Sequence, residues 1–110
     1  MTQDNDGRAE EKIRVRVDPD LADLIPGFLD NRRKDLATIQ EALDRNDFET
    51  VRVLGHSMKG AGGGYGFDAI TDIGAALEEA AKDRQPDGIR RGLRDLADYL
   101  DRVEVEVMDA

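Results

Sequence analysis

The C-terminal part of the chain holds its most regular hydrophobic pattern, which reads IRRGLRDLADYLDRVEVEV over residues 89–107. Apolar side chains recur there at alternating intervals of four and three residues: Ile89, Leu93, Leu96, Leu100, Val103 and Val107. Because an α-helix completes a turn about every 3.6 residues, this spacing places all of them on one face. The pattern therefore predicts an amphipathic helix whose apolar seam packs inside a bundle.

Upstream segments repeat this helical pattern, and polar or glycine-rich stretches separate them. Asp18 and Pro19 form a helix start signal, and Pro26 is expected to kink the first helix or to split off a short first segment. Further helices are predicted over residues 48–62 and from about Asp68. We therefore expect an all-α fold, an antiparallel four-helix bundle with an additional short N-terminal helical segment.

The first residues differ from this pattern. Residues 1–12 are polar and rich in acidic side chains, which predicts a disordered acidic tail. Residues 13–17 alternate apolar residues with arginine, as a strand does, but one strand without a partner cannot form a sheet and no partner strand is predicted. We expect instead an extended N-terminal arm laid on a bundle domain that spans residues 13–107.

Composition limits the classes of function. The 110 residues suffice for one domain, and 16 Lys+Arg against 25 Asp+Glu give a formal net charge of −9. This acidic excess disfavours nucleic acids and anionic membrane surfaces as partners. The chain contains no cysteine, which excludes disulfides and thiolate chemistry, and no apolar stretch of transmembrane length. We expect a cytoplasmic monomer whose partner is another protein.

The single histidine, His56, lies in the segment GHSMKGAGGGYG of residues 55–66. On the predicted helix it lies opposite the apolar stripe, so its side chain is expected to face solvent. Its companions on that outward face are Arg52, Lys59, Gly60 and Gly63. A neutral imidazole is a good nucleophile near pH 7, and an ammonium one turn away can offset the charge of a bound phosphoryl group.

Two glycines inside the predicted second helix need an explanation, because each costs about 1 kcal/mol relative to alanine. Gly55 and Gly60 can serve a partner that requires close access to the backbone. Alternatively, Gly55 lets a neighbouring helix approach, and the glycines from Gly60 onward fray the helix into a loop. The sequence leaves both explanations open.

Other kinds of site fit the sequence poorly. A di-iron bundle needs paired Glu-x-x-His ligands, but Val53 precedes His56 by three residues and there is no second histidine. The glycine cluster matches no nucleotide-binding motif. Ser57 is a poor nucleophile for a hydrolase, because its side chain diverges from that of His56 and no acid is predicted to orient the histidine. Glutamates such as Glu78 are interpreted as a solvated helix face.

Together, the motif residues carry a resemblance to a known family. They are His56, Lys59, Gly60 and Gly66 on and after the second of four predicted helices, followed by Leu77 and Glu78. Over roughly residues 18–105, the chain resembles the histidine phosphotransfer (HPt) domains of bacterial phosphorelays. Where many relatives have Ser-Ala after the Lys-Gly pair, this chain has Ala61 and Gly62.

The resemblance implies that His56 is a phosphoacceptor, which takes a phosphoryl group from the aspartyl phosphate of a receiver domain and passes it to another receiver aspartate. It also implies that Lys59 stabilises the phosphoryl group and that Gly60 clears room for the receiver. With Arg52 and Gly63, this face is the expected receiver-docking surface.

Such a chain is a phosphocarrier rather than an enzyme, without kinase or nucleotide-binding activity. It is expected to bind no metal and no cofactor, with Mg²⁺ held by the partner receiver. Its implied partners are response-regulator receiver domains, with a hybrid histidine kinase as a further candidate. A second hypothesis stays open, in which the same face docks a receiver or kinase as a non-catalytic helical adaptor without being phosphorylated.

Overall fold

A computed structural model describes residues 11–109 of the chain. In chain order its elements are β1 (Ile13–Val17), a 3-10 helix (Pro19–Leu24), α1 (Ile25–Asp44), α2 (Phe48–Gly64), α3 (Asp68–Lys82), α4 (Pro86–Arg102) and β2 (Val103–Val107). The predicted bundle of four helices joined by short loops is confirmed. The predicted disordered tail falls almost entirely outside the described residues.

The start of the bundle follows the signals in the sequence. The Asp18 carboxylate accepts a hydrogen bond from the Asp20 amide at 2.8 Å and so caps the 3-10 helix. Pro26 lies in the first turn of α1, where its missing N–H leaves no bond unmade. The predicted division into a short first segment and a main helix is therefore confirmed.

Apolar side chains from all four helices meet in one core. The largest fully buried side chains are Phe67, Ile39, Met58, Ile70, Leu77, Ile89, Leu96, Val17 and Val51. Arg32 occupies a position in the apolar stripe of α1 although it is charged. Its guanidinium is accommodated there because it lies 5.0 Å from the centre of the Phe28 ring and bonds to Asp35 at 2.9 Å. Within residues 11–109, no helix has the length and apolar character needed to cross a membrane.

The prediction for the C-terminal end was wrong. α4 ends at Arg102, and Val103–Val107 form β2, which pairs in parallel with β1 so that Val17 lies opposite Val107. The sequence VEVEV also alternates with the period of a strand, and its valines are β-branched. The expected N-terminal arm is extended, but it is paired with β2, contrary to the prediction that it has no partner strand.

Opposite charges support this pairing. The Arg14 guanidinium lies 3.4 Å from the Glu104 carboxylate and 3.7 Å from that of Glu106. In addition, the Met108 amide donates a hydrogen bond to the Val17 carbonyl at 2.9 Å. The two ends of the domain are thus joined by a small sheet on one end of the bundle.

Candidate functional site

The α2 and α3 backbones come into direct contact next to His56, because glycine lies on both sides of the crossing. A Cβ atom at Gly55 would lie 2.7 Å from the Glu78 nitrogen, and one at Gly74 would lie 2.5 Å from the Lys59 nitrogen. No larger residue fits either position without moving a helix. Of the two explanations for Gly55, the approach of a neighbouring helix is the one that the structure supports.

A side chain to backbone bond adds to this contact. The Thr71 hydroxyl donates to the Lys59 carbonyl across the two helices at 3.1 Å. A Cβ atom at Gly62 would lie 2.6 Å from the Thr71 nitrogen, so the two helices are also close at Thr71, one turn before Gly74 in α3. The register of α3 against α2 is therefore held at several points along the crossing.

This register brings a carboxylate from α3 between two side chains of α2 that the sequence predicts for the site. The Glu78 Oε2 atom lies 3.0 Å from the His56 Nδ1 atom, and its Oε1 atom lies 3.0 Å from the Lys59 Nζ atom. The Glu78 side chain is only 9% exposed, whereas the His56 side chain is 66% exposed. The imidazole therefore presents one edge to solvent, while the edge that carries the Nδ1 atom contacts the buried Glu78 carboxylate.

The charges of this cluster determine which imidazole nitrogen is available. The hydrogen bond from Lys59 holds the pKa of Glu78 below its ordinary value against the opposing effect of desolvation, and the bond with His56 lowers it further. An ionised carboxylate only accepts hydrogen bonds, so the His56 Nδ1 atom carries the proton. In the neutral ring, the Nε2 atom is then left with its lone pair on the exposed edge.

The other residues predicted for the site take different positions. The Arg52 guanidinium bonds to the Glu49 carboxylate through two hydrogen bonds, one of 3.0 Å. A Cβ atom at Gly60 would meet nothing within 4 Å, and one at Gly63 would lie 3.6 Å from the Thr71 hydroxyl. The helix surface at Gly60 and Gly63 therefore carries no side chain. At Arg52 the surface is charged, and the guanidinium is paired with Glu49.

Glu78 lies in a different environment from the one that the sequence predicts. The pattern predicts a solvated helix face and no acid that orients His56, but Glu78 is buried and its carboxylate bonds to the His56 Nδ1 atom. The signal was present in Gly55 and Gly74, since a glycine on each of two neighbouring helices permits a close crossing. Within residues 11–109, no group of three or more acidic or histidine side chains forms a metal-binding cluster.

A comparison with family models identifies the architecture that holds this cluster. The model of the Hpt domain matches residues 23–106, from the 3-10 helix into β2. The chain belongs to the Hpt domain family. No match was found among curated proteins or among solved structures.

Membership in this family establishes the general role of the domain. Hpt domains take part in histidine phosphotransfer within phosphorelays, they are phosphocarriers rather than kinases, and they generally interact with receiver domains. The single histidine of this Hpt domain lies within the matched range, as do Lys59 and Glu78.

Proposed function

We propose that this Hpt domain is a phosphorelay intermediate in which His56 accepts a phosphoryl group from the aspartyl phosphate of a receiver domain and passes it to another receiver aspartate. The observation that carries the proposal is the cluster of His56, Glu78 and Lys59. An exposed imidazole is held by a buried carboxylate, with an ammonium group one turn away.

The proposed step needs no proton transfer. The Nε2 lone pair of His56 attacks phosphorus, so an N–P bond forms while the bond between phosphorus and the aspartyl oxygen breaks. The electron pair of the broken bond leaves with the receiver's carboxylate. The imidazole becomes positively charged and keeps its Nδ1 proton, which the ionised Glu78 accepts in a hydrogen bond at 3.0 Å. The reverse step delivers the phosphoryl group to the next aspartate.

Lys59 has a second task in this scheme. Its ammonium has three donors, one of which is directed at Glu78 at 3.0 Å. Its side chain is 41% exposed, so the other donors can bond to phosphoryl oxygens that arrive on His56. We expect Lys59→Ala to slow the transfer without abolishing it, because the nucleophile and Glu78 remain. An unchanged rate would remove Lys59 from the mechanism.

The chain supplies the nucleophile and its positioning groups, and Mg²⁺ is proposed to lie in the receiver domain. We also propose that Gly60 and Gly63 let the receiver approach the backbone beside His56. A bulky residue at Gly60 is then expected to weaken receiver binding, and unaltered affinity would argue against this role.

The test follows label from a receiver domain charged with radiolabelled phosphoryl donor and Mg²⁺ onto this Hpt domain. We expect labelling of the wild type that survives alkali and is lost in acid, as for a phosphohistidine, and none on His56→Gln. The exposed position of His56 lets glutamine replace it without loss of helicity, which circular dichroism checks. Equal labelling of the variant would reject His56 as the acceptor, and docking without labelling would favour the adaptor hypothesis.

A further inference from the structure

A surface groove of about 290 Å³ opens beside the His56 cluster, between the start of α2 and the end of α3. It is lined by Phe48, Glu49, Arg52, Ala81, Lys82 and Arg84. The groove adjoins the cluster directly, because the Lys82 Nζ atom lies 3.9 Å from the Glu78 Oε2 atom and Arg52 precedes His56 by one helical turn. It lies on the opposite side of His56 from Gly60 and Gly63.

The groove is positively charged in a chain whose net charge is −9. Three of its side chains are cationic and one is a carboxylate. Glu49 is bound by Arg52 and Lys82 lies near the Glu78 carboxylate, so Arg84 carries the least neutralised charge at the opening. Within the described residues, Arg84 forms no ion pair, and its guanidinium lies 5.5 Å from the centre of the Phe48 ring.

The presence of arginine at position 84 needs an explanation, because its backbone adopts the left-handed conformation. Three helices of this domain end in the same way, with a residue in the left-handed region: Asn46 after α1 (φ 58°), Gly66 after α2 (φ 89°) and Arg84 after α3 (φ 52°). In each, the following amide bonds back to the helix, as in Asp47 to Ala42, Phe67 to Gly62 and Gln85 to Ala80.

Asparagine and glycine adopt the left-handed region at little cost, whereas arginine does so rarely. The turn after α3 would therefore form as well with either of those residues. The turn itself gives no reason for arginine at position 84, but the guanidinium held over Phe48 at the mouth of the groove does.

We propose that this groove is the electrostatic half of the receiver-docking surface, in which Arg84 and Lys82 bind acidic side chains beside the receiver's phosphorylation site. The inference rests on the proposed function, because it takes the receiver as the partner. In this arrangement the receiver covers Gly60 and Gly63 and also extends from His56 toward Phe48 and the end of α3.

The test compares Arg84→Asn with Arg94→Asn by calorimetric titration against the receiver domain that binds the wild type most tightly in a panel. Both variants lose one positive charge, but Arg94 lines a separate groove between α1 and α4. We expect Arg84→Asn to raise the dissociation constant roughly threefold to fivefold, the size of an exposed charge pair, and Arg94→Asn to leave it unchanged. Binding by Arg84→Asn should also depend less on salt.

A purely structural role for Arg84, such as stabilising the end of α3, predicts a different result. The melting temperature of Arg84→Asn would then fall, whereas we expect it to change little, because the better fit of asparagine to the backbone offsets the lost contact with Phe48. Wild-type affinity in Arg84→Asn, or equal losses in both variants, would overturn the proposal, as would a wild type that binds no receiver.

Phosphotransfer at saturating receiver separates this inference from the proposed function. Label should reach His56 in Arg84→Asn as in the wild type, since the acceptor cluster is intact. If the wild type binds the receiver but no label reaches His56, the proposed function fails while the docking measurement still decides the role of Arg84.

Discussion

At the scale of the residue, Glu78 gives the site its organisation, because one carboxylate holds two side chains of the neighbouring helix. Its Oε2 atom fixes the ring of His56 and its Oε1 atom fixes the ammonium of Lys59. In the proposed function, a buried acid that orients a histidine is a positioning residue, since it acts only through the ring. The effect of Glu78 should therefore be measurable in the tautomer of the His56 imidazole.

We predict that Glu78→Gln changes the tautomer of His56 and slows phosphotransfer about tenfold, the lower end of the effect of carboxylates that orient histidine ligands. Glutamine is neutral, so it no longer favours the proton on the Nδ1 atom, and a fraction of rings lose the free lone pair on Nε2. Nitrogen NMR of the imidazole measures the tautomer, and initial rates of labelling measure the transfer.

Glu79→Gln is the matched control for this prediction. Glu79 is the next residue in α3, but it is exposed and forms no bond with His56 within the described residues. We expect the wild-type tautomer and rate in this variant. A Glu78→Gln protein with a slower rate but an unchanged tautomer would mean that Glu78 acts by another route.

The lowered pKa of Glu78 predicts a dependence of stability on pH. Lys59 donates the bond that lowers this pKa most, so the ionised carboxylate is favoured in the folded state. A group with a lowered pKa stabilises the fold fully above its unfolded value, about 4.3 for glutamate, and loses this contribution as the pH falls through the folded value. Urea unfolding of the wild type and Glu78→Gln at several pH values checks this.

The difference in the free energy of unfolding between these two proteins should be constant at neutral pH and shrink in acid. A difference that grows as the pH falls would contradict the assigned direction of the pKa shift. Glu79→Gln again serves as the reference, because its carboxylate is exposed.

The sequence predicts the position of His56 but not the environment of Glu78. Helical periodicity suffices to place His56 and Lys59 on one exposed face, since both depend on one helix only. The burial of Glu78 depends on how closely α3 approaches α2, which is a property of two helices. That distance follows from Gly55 and Gly74, which the sequence shows as separate residues in separate helices.

At the scale of the element, the glycines of α2 should respond in opposite directions to alanine. We predict that Gly55→Ala destabilises the domain by about 1–3 kcal/mol, because its Cβ atom would lie 2.7 Å from the Glu78 backbone nitrogen. Gly60→Ala should instead stabilise it by about 0.5–1 kcal/mol, because nothing lies within 4 Å of its Cβ atom and alanine favours the helix.

Chemical denaturation of both variants measures these free energies. Gly55→Ala should also slow phosphotransfer, since a shift of α3 moves Glu78 away from His56. Equal effects of the two substitutions on stability would show that helix propensity alone governs these positions, and that the close crossing is not rigid.

The ends of the elements show where a sequence pattern becomes ambiguous. Val103 and Val107 continue the spacing of the α4 seam, and the same residues belong to a VEVEV strand. Either period fits over so short a segment, and the choice depends on β1, more than 80 residues away in the chain, whose arginines and valines complement β2. Local periodicity contains no information about such a distant partner.

At the scale of the whole molecule, the two-stranded sheet links the ends of the domain to its core. Val17 is only 1% exposed and belongs to the hydrophobic core, while its partner in the ladder, Val107, is 52% exposed. The same residue type thus occupies two environments across one strand pair. The burial of Val17 indicates that the sheet folds together with the helices.

We therefore predict that Val17→Ala lowers the free energy of unfolding of the entire domain by about 2 kcal/mol, through lost burial and the cavity left behind. Val107→Ala, the matched control at an exposed position of the neighbouring strand, should change it by less than about 0.5 kcal/mol. Urea unfolding followed by the circular dichroism of the helices reports both values. If the sheet were an independent appendage, Val17→Ala would leave the helical transition unchanged; a single transition at lower urea instead identifies sheet and bundle as one cooperative unit.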